Sequence, residues 1–360
     1  MKIKSLRIGE LVSRLPIIQG GMGVGISSSS LASAVAREGG IGILSSIQIG
    51  FNEEDFETNP LVANLRALRK HIKIAKEKAL GGIVGVNIMV ASNNYEDYVK
   101  TALEEGVDLI ISGAGLPTNL PKIAQGYNTK LCPIVSSAKA TSVICKLWSR
   151  HHKVAPDMVV FEGPKAGGHL GYSKEQLKDI ESFDYDEELK KIIAEVNKYE
   201  KEYNKEIPVI AAGGIFTGED IGKYLSLGAS GVQMGTRFVA TEECDAHINY
   251  KMSYINSKKE DIDIVTSPVG MPGRAIRNKF INKISLDREP VTKCYKCITH
   301  CNPKETPYCI SKALLNAVKG NVDDALLFCG DNAYRIDKIV TVKELLEELV
   351  NGILEYKPAF

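Results

Sequence analysis

One histidine in this chain stands where a proton could be exchanged beside a bound ligand. It is His169, in the run Glu162-Gly163-Pro164-Lys165-Ala166-Gly167-Gly168-His169-Leu170-Gly171. Imidazole gains or loses a proton near neutrality without help from its surroundings. The flanking glycines let backbone and ligand come close. His71, His151 and His152 lie in charged helical stretches, and His247 and His300 come late in the chain, so these five read as histidines without a chemical role. Further on, Pro208-Val209-Ile210-Ala211-Ala212-Gly213-Gly214-Ile215 and Gly231-Val232-Gln233-Met234-Gly235-Thr236-Arg237-Phe238 are apolar runs that reach glycine. Each reads as a buried parallel strand delivering a tight turn. Thr217-Gly218-Glu219-Asp220 opens a helix between them, with Gly228 as its stop. Backbone N–H groups at the ends of two consecutive strands suit a phosphate-bearing ligand.

Such residues need a scaffold that repeats. Short apolar runs alternate with amphipathic stretches, and eight such units can be counted. The expected strands are Leu15 to Gln19, Ile41 to Leu44, Ile83 to Val86, Val107 to Ile111, Leu131 to Val135, Met158 to Phe161, and the two runs above. The expected helices follow Ser27 to Ser30, then span Asn59 to Leu80 and Tyr95 to Glu105, with a short one opened by Pro117 and another ending near His151. Alternating βα units force parallel strands with right-handed crossovers. The expected fold is therefore α/β, a (β/α)8 TIM barrel whose catalytic face lies at the strands' C-terminal ends. Lys174 to Lys205, rich in Lys, Glu and Tyr, reads as a polar helical insertion after strand 6. Residues 1–240 form the expected barrel, and 241–360 a mainly helical, cysteine-containing extension packed on it.

A net charge of +1 gives no electrostatic case for nucleic acid or an anionic membrane as partner. The longest apolar runs are strand-length, short of the ~20 residues that span a bilayer. Met1-Lys2-Ile3-Lys4 is basic but has no apolar stretch behind it, so no secretory signal is expected and the location expected is cytoplasmic. Eight cysteines in that setting suggest free thiols or a metal site. Cys294, Cys297 and Cys301, with Cys309 beyond, have spacing that could hold a tetrahedral Zn or an iron–sulfur cluster, or could simply help a loop to pack. Cys132, Cys145, Cys244 and Cys329 are scattered singly and read as small core residues.

Five motifs occur in order: Gly20-Gly21-Met22-Gly23, Gly85-Val86-Asn87, Ala166-Gly167-Gly168-His169, Ala211-Ala212-Gly213-Gly214-Ile215 and Gln233-Met234-Gly235-Thr236-Arg237-Phe238. Together they resemble the nitronate monooxygenase (2-nitropropane dioxygenase) family, which also holds flavin-dependent enoyl-ACP reductases. The resemblance covers roughly residues 5 to 245. It implies FMN as cofactor, with Gly21, Met22 and Gly23 against the isoalloxazine ring and Asn87 at the ring edge. It places Glu162, Gly167 and Gly168 along the ring and ribityl side. Gly213, Gly214, Gln233, Met234, Gly235 and Thr236 would then hold the phosphate. His169 matches the family's active-site histidine, which abstracts a proton α to a nitro group or hydrogen-bonds the substrate oxygen.

The activity expected from this resemblance is FMN-dependent oxidation of alkyl nitronates by O2 to carbonyl compounds and nitrite. The alternative is NAD(P)H-dependent reduction of an enoyl thioester on acyl carrier protein, which Glu162 leaves open, since several nitronate-oxidising relatives carry Gln there and reductase relatives often carry Glu. An acidic carrier would prefer a basic rim, and Lys139 and Arg237 are placed near the mouth. A third reading is a flavin- or metal-binding sensor without turnover. A small-molecule substrate is expected in the two enzymatic readings, and the oligomeric state, with a homodimer allowed, is open.

Overall fold

The computed structural model describes residues 3–358, leaving Met1 and Lys2 of the basic start, and Ala359 and Phe360, outside the described residues. Eight parallel strands close into a barrel. In chain order they are β1 (Ile17–Gln19), β2 (Ile41–Ser45), β3 (Ile83–Met89), β4 (Leu109–Gly113), β5 (Lys130–Val135), β6 (Val159–Glu162), β7 (Val209–Ala212) and β8 (Gly231–Met234). Each pairs with its successor, and β8 returns to β1. The residues that made these runs legible, Ile, Val, Leu and Ala, fill the interior or the layer under the helices. Ile18, Ile41, Ile43, Leu109, Ile111, Met158, Val160 and Ile210 form one buried cluster, which Leu6 and Ile8 complete from below. Those two belong to an antiparallel hairpin, Leu6–Ile8 with Leu11–Ser13, which precedes the first of the eight expected units.

Outside the barrel run α1 (Ser29–Arg37), α2 (Pro60–Lys78), α3 (Tyr95–Glu104), α4 (Leu120–Ile123), α5 (Ala138–His152), α6 (Tyr185–Tyr203) and α7 (Gly218–Ser226). The short α4 begins at Leu120 and not at Pro117, with Pro121 in its first turn. The polar stretch after β6 resolves into two parts. Lys174–Lys178 and a following turn belong to an excursion over the catalytic face, while α6 is the barrel's own sixth helix, burying Leu189, Ile192 and Val196. Its Lys and Glu face solvent, which is why the sequence looked like an insertion throughout.

The chain beyond 241 does more than pack on a finished barrel. It leaves after a four-residue helix, Thr236–Val239, and returns where Thr241 bridges Val340. The helix α8 (Val342–Glu355) then docks against α7 and α1, in the gap that the outer ring would otherwise have. A capping box at Thr341 and Glu344 starts it, and Val342, Leu345, Leu346, Leu349 and Ile353 are its buried face. Between departure and return, the excursion contains helices and also an antiparallel pair, Ile262–Thr266 with Pro272–Ile276. No helix among the described residues is long and apolar enough to cross a membrane.

Candidate active site

The C-terminal ends of the strands frame a cavity of about 250 Å3, and register decides who faces it. Ala212 lies level with Gln233 on one side and Glu162 on the other, and Met234 lies level with Gln19. Gln19 is fully buried and works as a clamp. Its Oε1 accepts the Ile43 N–H at 3.1 Å, and its Nε2 donates to Ser27 Oγ at 2.8 Å and to the Gly20 carbonyl. Ser27 Oγ in turn accepts the Met22 N–H at 2.9 Å. The loop carrying Gly21, Met22 and Gly23 is thereby held against the cavity, beside Asn87 from β3.

Across the cavity, Gly213 and Gly214 adopt φ +93° and +84°. This left-handed region favours glycine, and a Cβ on Gly213 would stand 2.8 Å from the Gly163 carbonyl oxygen. The turn therefore leaves its backbone amides uncovered. Gly213, Gly214, Gln233, Met234, Gly235, Thr236, Glu162, Gly167, Gly168 and His169 line the same cavity as the Gly21 loop and Asn87. Every residue assigned to cofactor or catalysis is thus brought to one place.

Whether FMN fits can be judged from the residues themselves. Gln233 Oε1 is buried without a hydrogen-bond partner, so an acceptor is waiting for a donor of the kind that a flavin ring edge presents. The end lined by Gly213, Gly214 and Thr236 offers backbone amides and a threonine hydroxyl, and the nearby cation, Lys165, is already paired with Glu181 at 3.0 Å. Amides arranged in a turn suit a phosphate dianion without a buried counter-charge. The donor set fits the group.

His169 is positioned by residues far along the chain. Gly168–His169 forms a two-residue strand in register with Arg274 and Gly273. The ring Nε2 meets Ser267 Oγ at 2.7 Å, and Phe328 stands edge-on at 4.9 Å. Burial pushes the His169 pKa down to about 4, so the imidazole is neutral at neutral pH. Burial acts oppositely on Glu162, raising its carboxyl to about 7. The two groups are pushed toward each other's ordinary range, so between about pH 4 and pH 7 both are neutral.

Several contributors had no obvious sequence signal. Arg274 is 3% exposed, and its Nη1 donates to the Pro164 and Ala166 carbonyls at 2.7 and 2.5 Å. It fastens the glycine loop from behind. Gly330 N–H donates to Thr236 Oγ1 at 3.1 Å, and Asn332 Nδ2 to the Gly214 carbonyl at 2.7 Å. A lone arginine in an apolar strand, and the turn-rich Ser267-Pro268-Val269-Gly270, were the available hints.

Arg237, expected at the rim, instead pairs with Glu348 of α8 at 2.8 Å and donates to the Phe216 carbonyl, so it is committed to the scaffold. Lys139 is exposed. Among the other histidines, His71 meets Ser29 Oγ at 3.0 Å, His152 the Thr118 carbonyl at 2.9 Å, and His247 accepts the Asn249 N–H, all local structural contacts. Cys132, Cys145, Cys244 and Cys329 are buried, as core residues should be. Cys294, Cys297, Cys301 and Cys309 gather around a second, smaller cavity. Among the described residues, however, no three His, Cys, Asp or Glu side chains are grouped to hold a metal ion, so this geometry provides neither the tetrahedral Zn site nor the iron–sulfur cluster that the spacing suggested.

A family model described as nitronate monooxygenase matches residues 4–352. A probable nitronate monooxygenase from Staphylococcus saprophyticus is 26% identical, over 97% of this chain and 98% of that one. Among solved structures, FabK from Thermotoga maritima superposes with a TM-score of 0.72 at 28% identity, covering 95% of this chain and 94% of that one. A nitroalkane oxidase from Streptomyces ansochromogenes superposes with a TM-score of 0.73 at 21% identity, covering 95% and 96%, a likeness of fold.

Proposed function

Because this chain belongs to the nitronate monooxygenase family, we propose that it is an FMN-dependent nitronate monooxygenase, oxidising alkyl nitronates with O2 to carbonyl compounds and nitrite. The observation that carries this reading is a neutral imidazole, His169, held inside the cavity that also contains the uncovered glycine amides. In this reading Gly213, Gly214 and the run Gln233 to Thr236 hold the phosphate. The Gly21 loop and Asn87 hold the ring, with Glu162, Gly167 and Gly168 beside it. When bound, FMN supplies the electron-accepting chemistry, and the protein supplies binding, orientation and proton handling.

What the chain itself does follows from the site. The Gly21 loop and Gln19 clamp set one wall rigidly, so substrate enters a shaped space. His169, neutral and fixed through Nε2, can take a proton from the carbon next to a nitro group or hydrogen-bond a nitronate oxygen. Ile47, Val269, Ile298, Ile310 and Leu314 make the remaining wall apolar and keep water from the reacting carbon.

A second reading, NAD(P)H-dependent reduction of an enoyl thioester, is supported by Glu162 and by that apolar wall, which would accept an acyl chain. Anaerobic stopped-flow measurements separate the two. Bleaching of the flavin by an alkyl nitronate, with nitrite released on admitting air, is the expected result. Rapid bleaching by NADPH, with reoxidation by a crotonyl thioester and not by O2, would overturn it.

A further inference from the structure

The proposed reaction leaves a group of cysteines unused. Cys294, Cys297, Cys301 and Cys309 line one cavity of about 140 Å3, and all are free thiols. With no three of them grouped around a single ion, the chemistry to consider is that of sulfur itself. Cys294 and Cys297 differ as the halves of an exchange-active CxxC pair differ. Cys294 is exposed, and its Sγ accepts the Lys296 N–H at 3.4 Å. Cys297, lining the same cavity, is half-buried, its thiol pushed up to about 11 by burial and hydrogen-bonded with Ser311. Lys296, between them, takes a left-handed φ of +49°. An accessible attacking sulfur and a protected resolving sulfur thus face one cavity.

We propose that Cys294 and Cys297 form a redox-active dithiol that exchanges with low-molecular-weight disulfides. The Cys294 thiolate attacks one sulfur of the incoming disulfide, making a mixed disulfide and expelling a thiolate. Cys297 gives its proton to that thiolate and attacks the Cys294 sulfur, and the second thiolate leaves and takes a proton from solvent. Two protein thiols are oxidised to one disulfide, and one external disulfide is reduced to two thiols.

The exchange reaches the main cavity through shared walls. Cys297, Ile298 and Ile310 line both cavities, and Ser311 lines the main one. The segment is also strapped to the loop after β3. Asn93 N–H donates to the Cys297 carbonyl at 3.1 Å, its Nδ2 to the Lys296 carbonyl at 2.8 Å, and Thr299 N–H to the Ala91 carbonyl at 3.0 Å. Drawing the Cys297 sulfur toward Cys294 takes it from Ser311, so the two redox states present different walls to a substrate.

The test uses the flavin-loaded full chain, equilibrated with mixtures of reduced and oxidised glutathione, quenched in acid, alkylated and analysed by peptide mass spectrometry. A Cys294–Cys297 disulfide is expected to form as the mixture becomes oxidising. Cys297→Ser should trap glutathione on Cys294, and the exposed-site variant Cys294→Ser should lose both products. Oxidised enzyme should show a shifted KM, reversed by dithiothreitol. Free thiols at every mixture, a Cys301–Cys309 pairing instead, stoichiometric metal bound by these cysteines, or an unmoved KM would each overturn the proposal. None of the mass-spectrometric outcomes depends on which substrate the main cavity takes.

Discussion

His169 Nε2 and Ser267 Oγ meet at 2.7 Å, across 98 residues of chain. Ser267 is 3% exposed and sits in the turn between the two strands of the antiparallel pair, the second of which pairs with Gly168–His169. The contact occupies Nε2, and the proposed reaction would use the other ring nitrogen toward substrate. In the proposed reaction Ser267 is a positioning residue, acting through the ring orientation that its contact holds. Ser267→Ala should keep its flavin and KM and lose about 10-fold or more in kcat, as losses of such supporting contacts do. Its pH profile should shift, and Ser267→Thr should recover most of the rate. A changed KM with an unmoved pH profile would mean that Ser267 only shapes the wall.

His169→Ala should retain flavin and lose about 10²–10⁴-fold on neutral nitroalkanes. A preformed nitronate needs no proton removed and should suffer less. Because the folded pKa is depressed to about 4, the base form persists above that value. Turnover of nitroalkanes should therefore fall only as pH drops through about 4, and steady-state rates against pH will show where the limb lies. Equal losses on both substrates would assign His169 to binding.

Glu162 gives the opposite limb. Its carboxyl is raised to about 7, so it is neutral below that pH and ionises as pH rises through it. A carboxylate appearing in the cavity repels an anionic nitronate, so KM for the nitronate should climb above neutrality. Glu162→Gln should flatten that climb while leaving KM on the acid side nearly unchanged. Measuring KM for one nitronate across neutrality in both proteins decides it.

Gly214 combines φ +84° with crowding, since a Cβ there would lie 2.9 Å from Lys165 Cβ. Gly214→Asp adds a carboxylate to that strain at the proposed phosphate position. The purified variant should be colourless, with no flavin absorbance. Gly214→Ala carries strain of about 1–2 kcal/mol without the charge and should retain partial flavin. Full colour in Gly214→Asp would move the phosphate elsewhere.

Arg274→Met should unfasten the glycine loop. It strands the Pro164 and Ala166 carbonyls, and it leaves Asp331, 3.6 Å from Arg274 Nε, without its cation. Removing one side of such a buried arrangement costs about 3 kcal/mol. Thermal unfolding should show a lowered Tm, with flavin content falling in parallel. Arg274→Lys should rescue only in part, because one ammonium cannot reproduce the guanidinium fork.

The strands and the glycine turns were legible because parallel barrel strands are continuous apolar runs, and because turns over a ligand demand glycine. His169 was legible for the same local reason, a titratable group among glycines. Ser267, Arg274 and Asn332 were not, since their meaning comes from partners roughly 100 residues away. α6 was half-legible. Its apolar positions Leu189, Ile192 and Val196 repeat at helical spacing, yet the charged outer face dominates the composition. Arg237 misled because position near a strand end says nothing of Glu348, which occupies it.

α8 has a consequence for how the protein is made. The outer ring lacks its last stave until residues 342–355 have left the ribosome, although all eight strands are synthesised by residue 234. During that interval the apolar flanks of α7 and α1 have no cover, and the nascent chain carries a sticky seam. A premature stop that removes only this helix leaves every residue of the cavity encoded, yet yields a barrel with one side open. Such a product should be lost to aggregation or proteolysis rather than to faulty chemistry.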